Sequence, residues 1–93
     1  MKIYVLTKVE GYEQEDFVTL NRCSIFEKII ADCDRFNEIG WYLTIWEDEK
    51  IIGDHDIMYM LYDNSKLENP LPTGVVLNNI IDNKIVDKFT ARL

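Results

Sequence analysis

The sequence predicts a small α+β domain, in which a mostly antiparallel sheet of about four to six strands packs on one amphipathic helix near residues 25–39. Two observations lead to this fold class. The segment from Ser24 to Gly40 combines a helical start signal, a periodic apolar stripe and a stop signal. The segments on both sides of it are rich in β-branched and aromatic residues in alternation. A chain of 93 residues with this much apolar content is expected to fold as a single domain over residues 1–93.

The first two predicted elements are strands. Residues 2–9 alternate between two faces that both carry apolar groups, which favours an interior strand. A polar connection over residues 10–16 contains Gly11, and residues 17–21 are predicted to return as a short antiparallel strand.

The helix is predicted from its ends and from its stripe. Ser24 and Glu27 have the spacing of a capping box, and Gly40 is suited to the left-handed backbone that ends many helices. The apolar stripe at three- and four-residue spacing consists of Phe26, Ile29, Ile30, Cys33 and Phe36. Such a stripe needs a sheet or partner helices to cover it, and the β-rich segments on both sides favour a sheet.

The second half of the chain is predicted to add more strands. Residues 41–46 form a third strand, and a sheet order of 2-1-3 satisfies the interior character of the first one. Residues 51–62 are interpreted as one strand with a bulge at Gly53, or as two short strands. The C-terminal segment favours a hairpin with strands near 75–81 and 84–91, and a C-terminal helix is the alternative. This arrangement places the two acidic loops at opposite ends of the sheet, so that a single partner is expected to reach only one of them.

The negative charge of the chain is concentrated in two places. Of a formal net charge of −7, residues 10–16 contribute −4 and residues 47–56 contribute a further −4. This distribution argues against direct binding of nucleic acid, because lysine and arginine supply most of the affinity for phosphate. No segment approaches the length of a membrane span, so we expect a cytoplasmic protein without membrane association.

The sequence contains no convincing catalytic or cofactor motif. It lacks a phosphate-binding glycine loop, a paired Cys-x-x-Cys and a zinc-protease motif, so no catalytic residue, no metal site and no cofactor is predicted. The sharpest chemical cluster is His55 between Asp54 and Asp56, and a metal-dependent enzyme centred on His55 is a less favoured hypothesis. Strand alternation would point His55 away from both carboxylates. This argues against a metal site and favours the interpretation that the cluster is a turn or bulge beside a strand.

The order of elements over residues 2–46 resembles that of short uncharacterised bacterial and phage proteins. The resemblance rests on the strand, acidic connection, short strand, Ser24-capped helix and the Gly-Trp-Tyr strand that begins at Gly40. It implies an α+β fold, and it is consistent with a phage or prophage origin.

The function that this sequence favours is binding to another protein. A small acidic non-catalytic module or inhibitor would use aromatic anchors and an acidic rim against a basic surface of a host protein, such as a nucleic-acid enzyme. The predicted partner-binding residues are Tyr12, Glu13, Glu15, Asp16, Tyr42, Trp46, Glu47, Asp48 and Glu49. The alternative is an oligomer that binds a small molecule or nucleotide in an aromatic-lined cleft, with Arg22 or Arg35 holding an anion. Whether the chain forms a homo-oligomer is left open.

Overall fold

The polypeptide forms a four-stranded antiparallel sheet and three helices, as described by a computed structural model over residues 1–84. The elements in chain order are β1 (Lys2–Glu10), β2 (Glu13–Thr19), α1 (Arg22–Ile30), β3 (Ile39–Glu47), β4 (Lys50–Asp56), α2 (Ile57–Ser65) and α3 (Thr73–Ile81). The strands lie in the order β2-β1-β3-β4. The predicted α+β class and the predicted 2-1-3 neighbours are both confirmed.

The core lies between one face of the sheet and the helices. Leu6 of β1 pairs with Phe17 of β2 and with Leu43 of β3, so these side chains share that face. The buried residues of the sheet are Tyr4, Leu6, Ile39, Trp41, Leu43 and Ile45. The buried residues of the helices are Ile25, Ile29, Ile57, Met58, Leu61, Asn64, Val76, Leu77, Ile80 and Ile81. Removing this apolar surface from water is the main favourable contribution to folding.

Helix α1 begins earlier and ends sooner than the predicted 25–39. Asn21 is its N-cap, and its side-chain oxygen accepts a 2.9 Å hydrogen bond from the backbone N–H of Cys23. The capping box at Ser24 is therefore wrong, because a better-placed capping residue lies three positions upstream. The helix ends at Ile30, and the chain continues through turns into β3. Gly40 lies within β3 and does not end the helix.

The apolar run after β4 is a helix and not the predicted strand. Asp56 caps α2, with its Oδ1 accepting a 3.1 Å hydrogen bond from the backbone N–H of Tyr59. The buried positions of α2 recur at helical spacing, and they are Ile57, Met58, Leu61 and Asn64. The predicted bulge is present beside Gly53, since Ile45 pairs with Gly53 while Trp46 pairs with Ile51.

Residues 75–81 belong to α3, so the C-terminal helix was the correct alternative and the first hairpin strand was wrong. The second predicted strand, 84–91, lies outside the described residues except for Lys84. No helix within residues 1–84 has the length and apolar character to cross a membrane.

The two hairpin turns lie at opposite ends of the sheet, as predicted. Glu10 pairs with Glu13 across the first turn, whereas Lys2 pairs with Glu47 at the other end. Gly11 has a φ of 61° in the first turn, and the second turn places Asp48 and Glu49 at φ values of 52° and 68°. Two successive positive φ values are the signature of a type I′ turn, which matches the twist of the flanking strands.

Candidate protein-binding face

The helices pack on one face of the sheet, and within the described residues the opposite face carries no helix. Strand register identifies its members, because paired residues of neighbouring strands project to the same side. Val5, for example, lies between Val18 of β2 and Thr44 of β3. We call this surface the open face, and its strand residues are Ile3, Val5, Thr7, Val9, Gln14, Asp16, Val18, Gly40, Tyr42, Thr44, Trp46, Ile51, Asp54 and Asp56.

The charged side chains of the open face all have the same sign. They are Asp16, Asp54 and Asp56, and no strand residue of this face is lysine or arginine. Asp16 accepts a 2.7 Å hydrogen bond from Oγ1 of Thr7. Among residues 1–84, Asp54 and Asp56 form no ion pair. Carboxylates grouped in this way create a negative potential that attracts a basic partner.

The remainder of the open face is largely apolar and aromatic. Val18 is 69% exposed and Ile51 is 55% exposed, although both are β-branched aliphatic residues. At the end of the sheet near the second turn, a shallow hollow of about 390 Å³ has acidic residues at its rim, and it is lined by Met1, Ile3, Val5, Trp46, Asp48 and Glu49. An exposed apolar surface rimmed by charge is typical of a protein interaction site.

Three acidic groups on the helix side of the sheet, Glu10, Asp32 and Glu38, are paired with cations. The guanidinium of Arg35 is the main cation. Its Nη2 lies 2.7 Å from Oε2 of Glu38 and 3.5 Å from Oε1 of Glu10, and its Nη1 lies 3.4 Å from Oδ1 of Asp32. The hydrogen bond to Glu38 raises the pKa of the Arg35 guanidinium above its ordinary value, so this group stays charged. Lys8 lies 3.7 Å from Glu10 on the same side. The two sides of the sheet therefore differ in charge. The strands carry Lys2, Lys8 and Lys50 among the acids of the helix side, whereas the charged strand residues of the open face are all carboxylates.

The nine partner-binding residues predicted from sequence fall into three groups. On the open face lie Asp16, Tyr42 and Trp46. In the two turns lie Tyr12, Asp48 and Glu49. On the helix side of the sheet, in register with Lys2, Lys8 or Glu10, lie Glu13, Glu15 and Glu47. The structure thus brings three of the predicted residues onto the open face, places Asp48 and Glu49 at the hollow at its end, and puts Glu13, Glu15 and Glu47 on the other side of the sheet.

The open face also connects the two ends of the sheet. Tyr42 and Trp46 are on the same face of β3 and four residues apart, which corresponds to about 13 Å along a strand. A partner that lies across this face would therefore contact aromatic groups near both turns. The expectation that one partner reaches only one acidic loop applies to a partner bound at an end, and not to one bound on the face.

His55 lies on the helix side of β4, and its neighbours Asp54 and Asp56 lie on the open face, as strand alternation predicts. His55 Nε2 donates a 2.8 Å hydrogen bond to Oδ1 of Asn83. The amide orientation follows from the second bond, in which Asn83 Nδ2 donates to the carbonyl oxygen of Ile52 at 2.8 Å. Among residues 1–84, no three His, Cys, Asp or Glu side chains are grouped closely enough to hold a metal ion.

Sequence reasoning did not include the carboxylates of β4 in the binding surface. The sequence prediction includes Asp54 and Asp56 in the acidic segment 47–56 and as neighbours of His55, but not among the partner-binding residues. The signal that would have found them is their alternation with His55, combined with the pairing of β4 next to the strand that carries Tyr42 and Trp46. That pairing depends on the length of the second turn, which the sequence did not establish.

Together, the fold and this surface define a small acidic α+β protein with one sheet face that carries unpaired carboxylates and exposed apolar groups. No protein-family model, no curated protein and no solved structure matches the chain.

Proposed function

We propose that this chain is a small, acidic, non-catalytic module that binds another protein through the open face. The partner presents a basic surface, of the kind with which nucleic-acid enzymes hold phosphate groups, and binding there would inhibit such an enzyme. The phage or prophage origin and the cytoplasmic location expected from the sequence remain predictions.

The observation that carries this proposal is the absence of lysine and arginine from the strand residues of the open face, whereas the helix side of the same strands carries both acids and lysines. Glu10, Asp32 and Glu38 are compensated by Lys8 and Arg35 on the helix side. The open face has three carboxylates and no lysine or arginine among its strand residues. A net charge of −7 that served only solubility would need no such asymmetry.

Aromatic side chains on the same face support protein binding further. Tyr42 projects from β3 next to Asp56, and Trp46 projects from the same face of β3 between Ile3 and Ile51. Tyrosine and tryptophan are the residues that most often dominate the binding energy of interfaces. The surrounding carboxylates would orient the partner and raise its rate of association.

The nucleotide-binding alternative is less well supported, because both candidate arginines already have acidic or amide partners. Arg22 is paired with Asp82 and donates a 3.0 Å hydrogen bond to Asn78. Arg35 is paired with Glu38 and with two further carboxylates. A phosphate group would have to displace these partners before either guanidinium could hold it.

The proposal can be tested with two variants that change the net charge equally at different places. Val18→Lys puts a cation on the open face, whereas Val75→Lys puts one on α3, where the native valine is also exposed, at 44%. Tagged wild-type protein is used to capture partners from a host lysate at low ionic strength, followed by elution with a salt gradient. The affinity of the captured protein is then measured separately for the wild type, for Val18→Lys and for Val75→Lys.

We expect a discrete protein that elutes as salt rises, because added salt screens the attraction between exposed charges. Val18→Lys should weaken its binding by about tenfold or more through like-charge repulsion, while Val75→Lys should leave it unchanged. Equal loss in both variants would show that only net charge matters, and an affinity independent of salt would contradict an electrostatically steered interface.

A further inference from the structure

A cleft of about 420 Å³ opens at the end of the sheet where β1 ends and β3 begins. This volume lies within the range of about 300–1,000 Å³ that is usual for ligand sites. The residues that line the cleft include three tyrosines and two carboxylates, which are Tyr42, Tyr59, Tyr62, Glu38 and Asp56. Among the described residues, no lysine, arginine or histidine lines this cleft.

The tyrosine rings of the cleft are accessible and at least one is held in place. Tyr59 is 64% exposed, and Tyr62 packs edge-on against Phe36 with ring centroids 5.4 Å apart. Lys66 Nζ lies 5.0 Å from the centroid of the Tyr62 ring, so this ring already interacts with an ammonium group of the same chain. The face of an aromatic ring attracts cations through its quadrupole, and the attraction grows when the cation is partly desolvated.

The balance of charge in the cleft is negative. Asp56 forms no ion pair with any residue of the described chain, and only its Oδ1 is engaged, by the backbone N–H of Tyr59. Glu38 shares its charge with Arg35, which does not line the cleft. The N-terminus of α2 contributes about half a positive charge, which the full charge of Asp56 exceeds. The cleft therefore disfavours a phosphate or carboxylate and favours a cation.

We propose that this cleft binds a lysine or arginine side chain of the partner protein, with the cation over the tyrosine rings and beside Asp56. The inference rests on the proposed function, since it names the chemical group that the partner inserts. The open face would then bind the body of the partner, and the cleft would select a basic residue at its margin. Tyr42 belongs to both surfaces and connects them.

The test uses three synthetic peptides with the sequence Gly-Gly-Xaa-Gly-Gly, in which Xaa is lysine, norleucine or glutamate. The peptides are acetylated at the N-terminus and amidated at the C-terminus, so that norleucine keeps the aliphatic chain of lysine and removes the only positive charge. Binding is followed by the NMR signals of the tyrosine rings of the whole protein. We expect the lysine peptide to shift the signals of Tyr59 and Tyr62 in a saturable manner, and the other two peptides to leave them unchanged.

Two variants separate the cleft from general acidity. Tyr59→Ala removes an exposed ring from the cleft, and Tyr12→Ala removes an exposed ring from the first turn, outside it. Tyr59→Ala should lower the affinity for the lysine peptide by about fivefold, and Tyr12→Ala should leave this affinity unchanged. Equal shifts with the norleucine peptide, or no shifts with any peptide, would overturn the cleft proposal.

The outcome is independent of the test for the open face. If Val18→Lys abolishes partner binding while the lysine peptide never binds, the proposed function holds and the cleft proposal is wrong. If the lysine peptide binds at the cleft while no partner depends on Val18, the cleft does bind a basic side chain, but the open face is not the binding surface and the proposed function is wrong.

Discussion

Asn83 joins the C-terminal end of α3 to β4 through two side-chain hydrogen bonds. Its amide accepts from His55 and donates to the carbonyl of Ile52, each at 2.8 Å. Its φ of 56° lies in the left-handed region, which asparagine tolerates better than most residues. Gly53 makes the close approach feasible, since a Cβ there would lie 2.3 Å from Asn83 Oδ1. His55 is thus part of a structural contact between a helix and the sheet.

This contact predicts that Gly53→Ala is destabilising. The added methyl group should displace the Asn83 amide and break both hydrogen bonds, which lowers the free energy of unfolding by about 2 kcal/mol. Gly40→Ala is the control, because its nearest neighbour would be the ring of Tyr42 at 3.0 Å, and that side chain is exposed and free to move. Chemical denaturation should show a clearly lower free energy of unfolding for Gly53→Ala and little change in it for Gly40→Ala. Equal stability of the two variants would contradict this account.

Among the elements, the sequence identified β1, β3 and the sheet order, but it predicted β2 too late in the chain and favoured strands where α2 and α3 lie. Every residue from 57 to 62 is apolar, so neither a two-residue nor a 3.6-residue period is visible there. Two polar residues indicate that the segment is a helix. Asp56 caps its N-terminus, and Asn64 is buried near its C-terminus. Asn64 is satisfied by two hydrogen bonds to the backbone of Leu71, which no local pattern reveals.

The capping role of Asp56 can be separated from its charge. Asp56→Ala removes the acceptor for the Tyr59 N–H and should lower the free energy of unfolding by about 1 kcal/mol. Asp54→Ala removes the same charge from the same face of β4 without touching a helix end. Urea denaturation of both variants should therefore show a lower free energy of unfolding for Asp56→Ala alone. An equal effect of both would mean that charge on the open face, and not the cap, determines stability.

The limits of α1 illustrate why boundaries were harder to predict than strands. Asn21 and Ser24 are both good capping residues within one turn of each other, and the choice between them depends on the length of the preceding strand. Strands β1 and β3 were predictable because their alternation fixes which residues face the core. The sheet order followed from the interior character of β1.

At the scale of the whole molecule, the acidic and aromatic character of the binding surface could be predicted, but its location could not. Composition showed two acidic segments and an excess of aromatic residues. Which carboxylates are neutralised depends in part on tertiary contacts, such as those of Arg35 with Glu10 and of Lys8 with Asp32. Residue types alone therefore could not distinguish the paired acids from those of the open face.

The same charge distribution predicts how the molecule associates with itself. Two copies that met through their open faces would oppose Asp16, Asp54 and Asp56 of one to those of the other. We expect a monomer at low ionic strength, with any self-association through this face increasing as salt screens the repulsion. Sedimentation at low and high salt would measure this. A dimer that forms at low salt and dissociates at high salt would contradict it.

The most direct measurement is an amide and indole NMR map of the protein with and without its captured partner. We expect the changed signals to cluster on the open face, at Val5, Thr44 and the indole of Trp46. Signals of α1 and of the exposed side of α3 should remain unchanged. A map in which the changes lie on α1 and α3, with Thr44 and Trp46 unaffected, would contradict the central claim that the open face of the sheet is the binding surface.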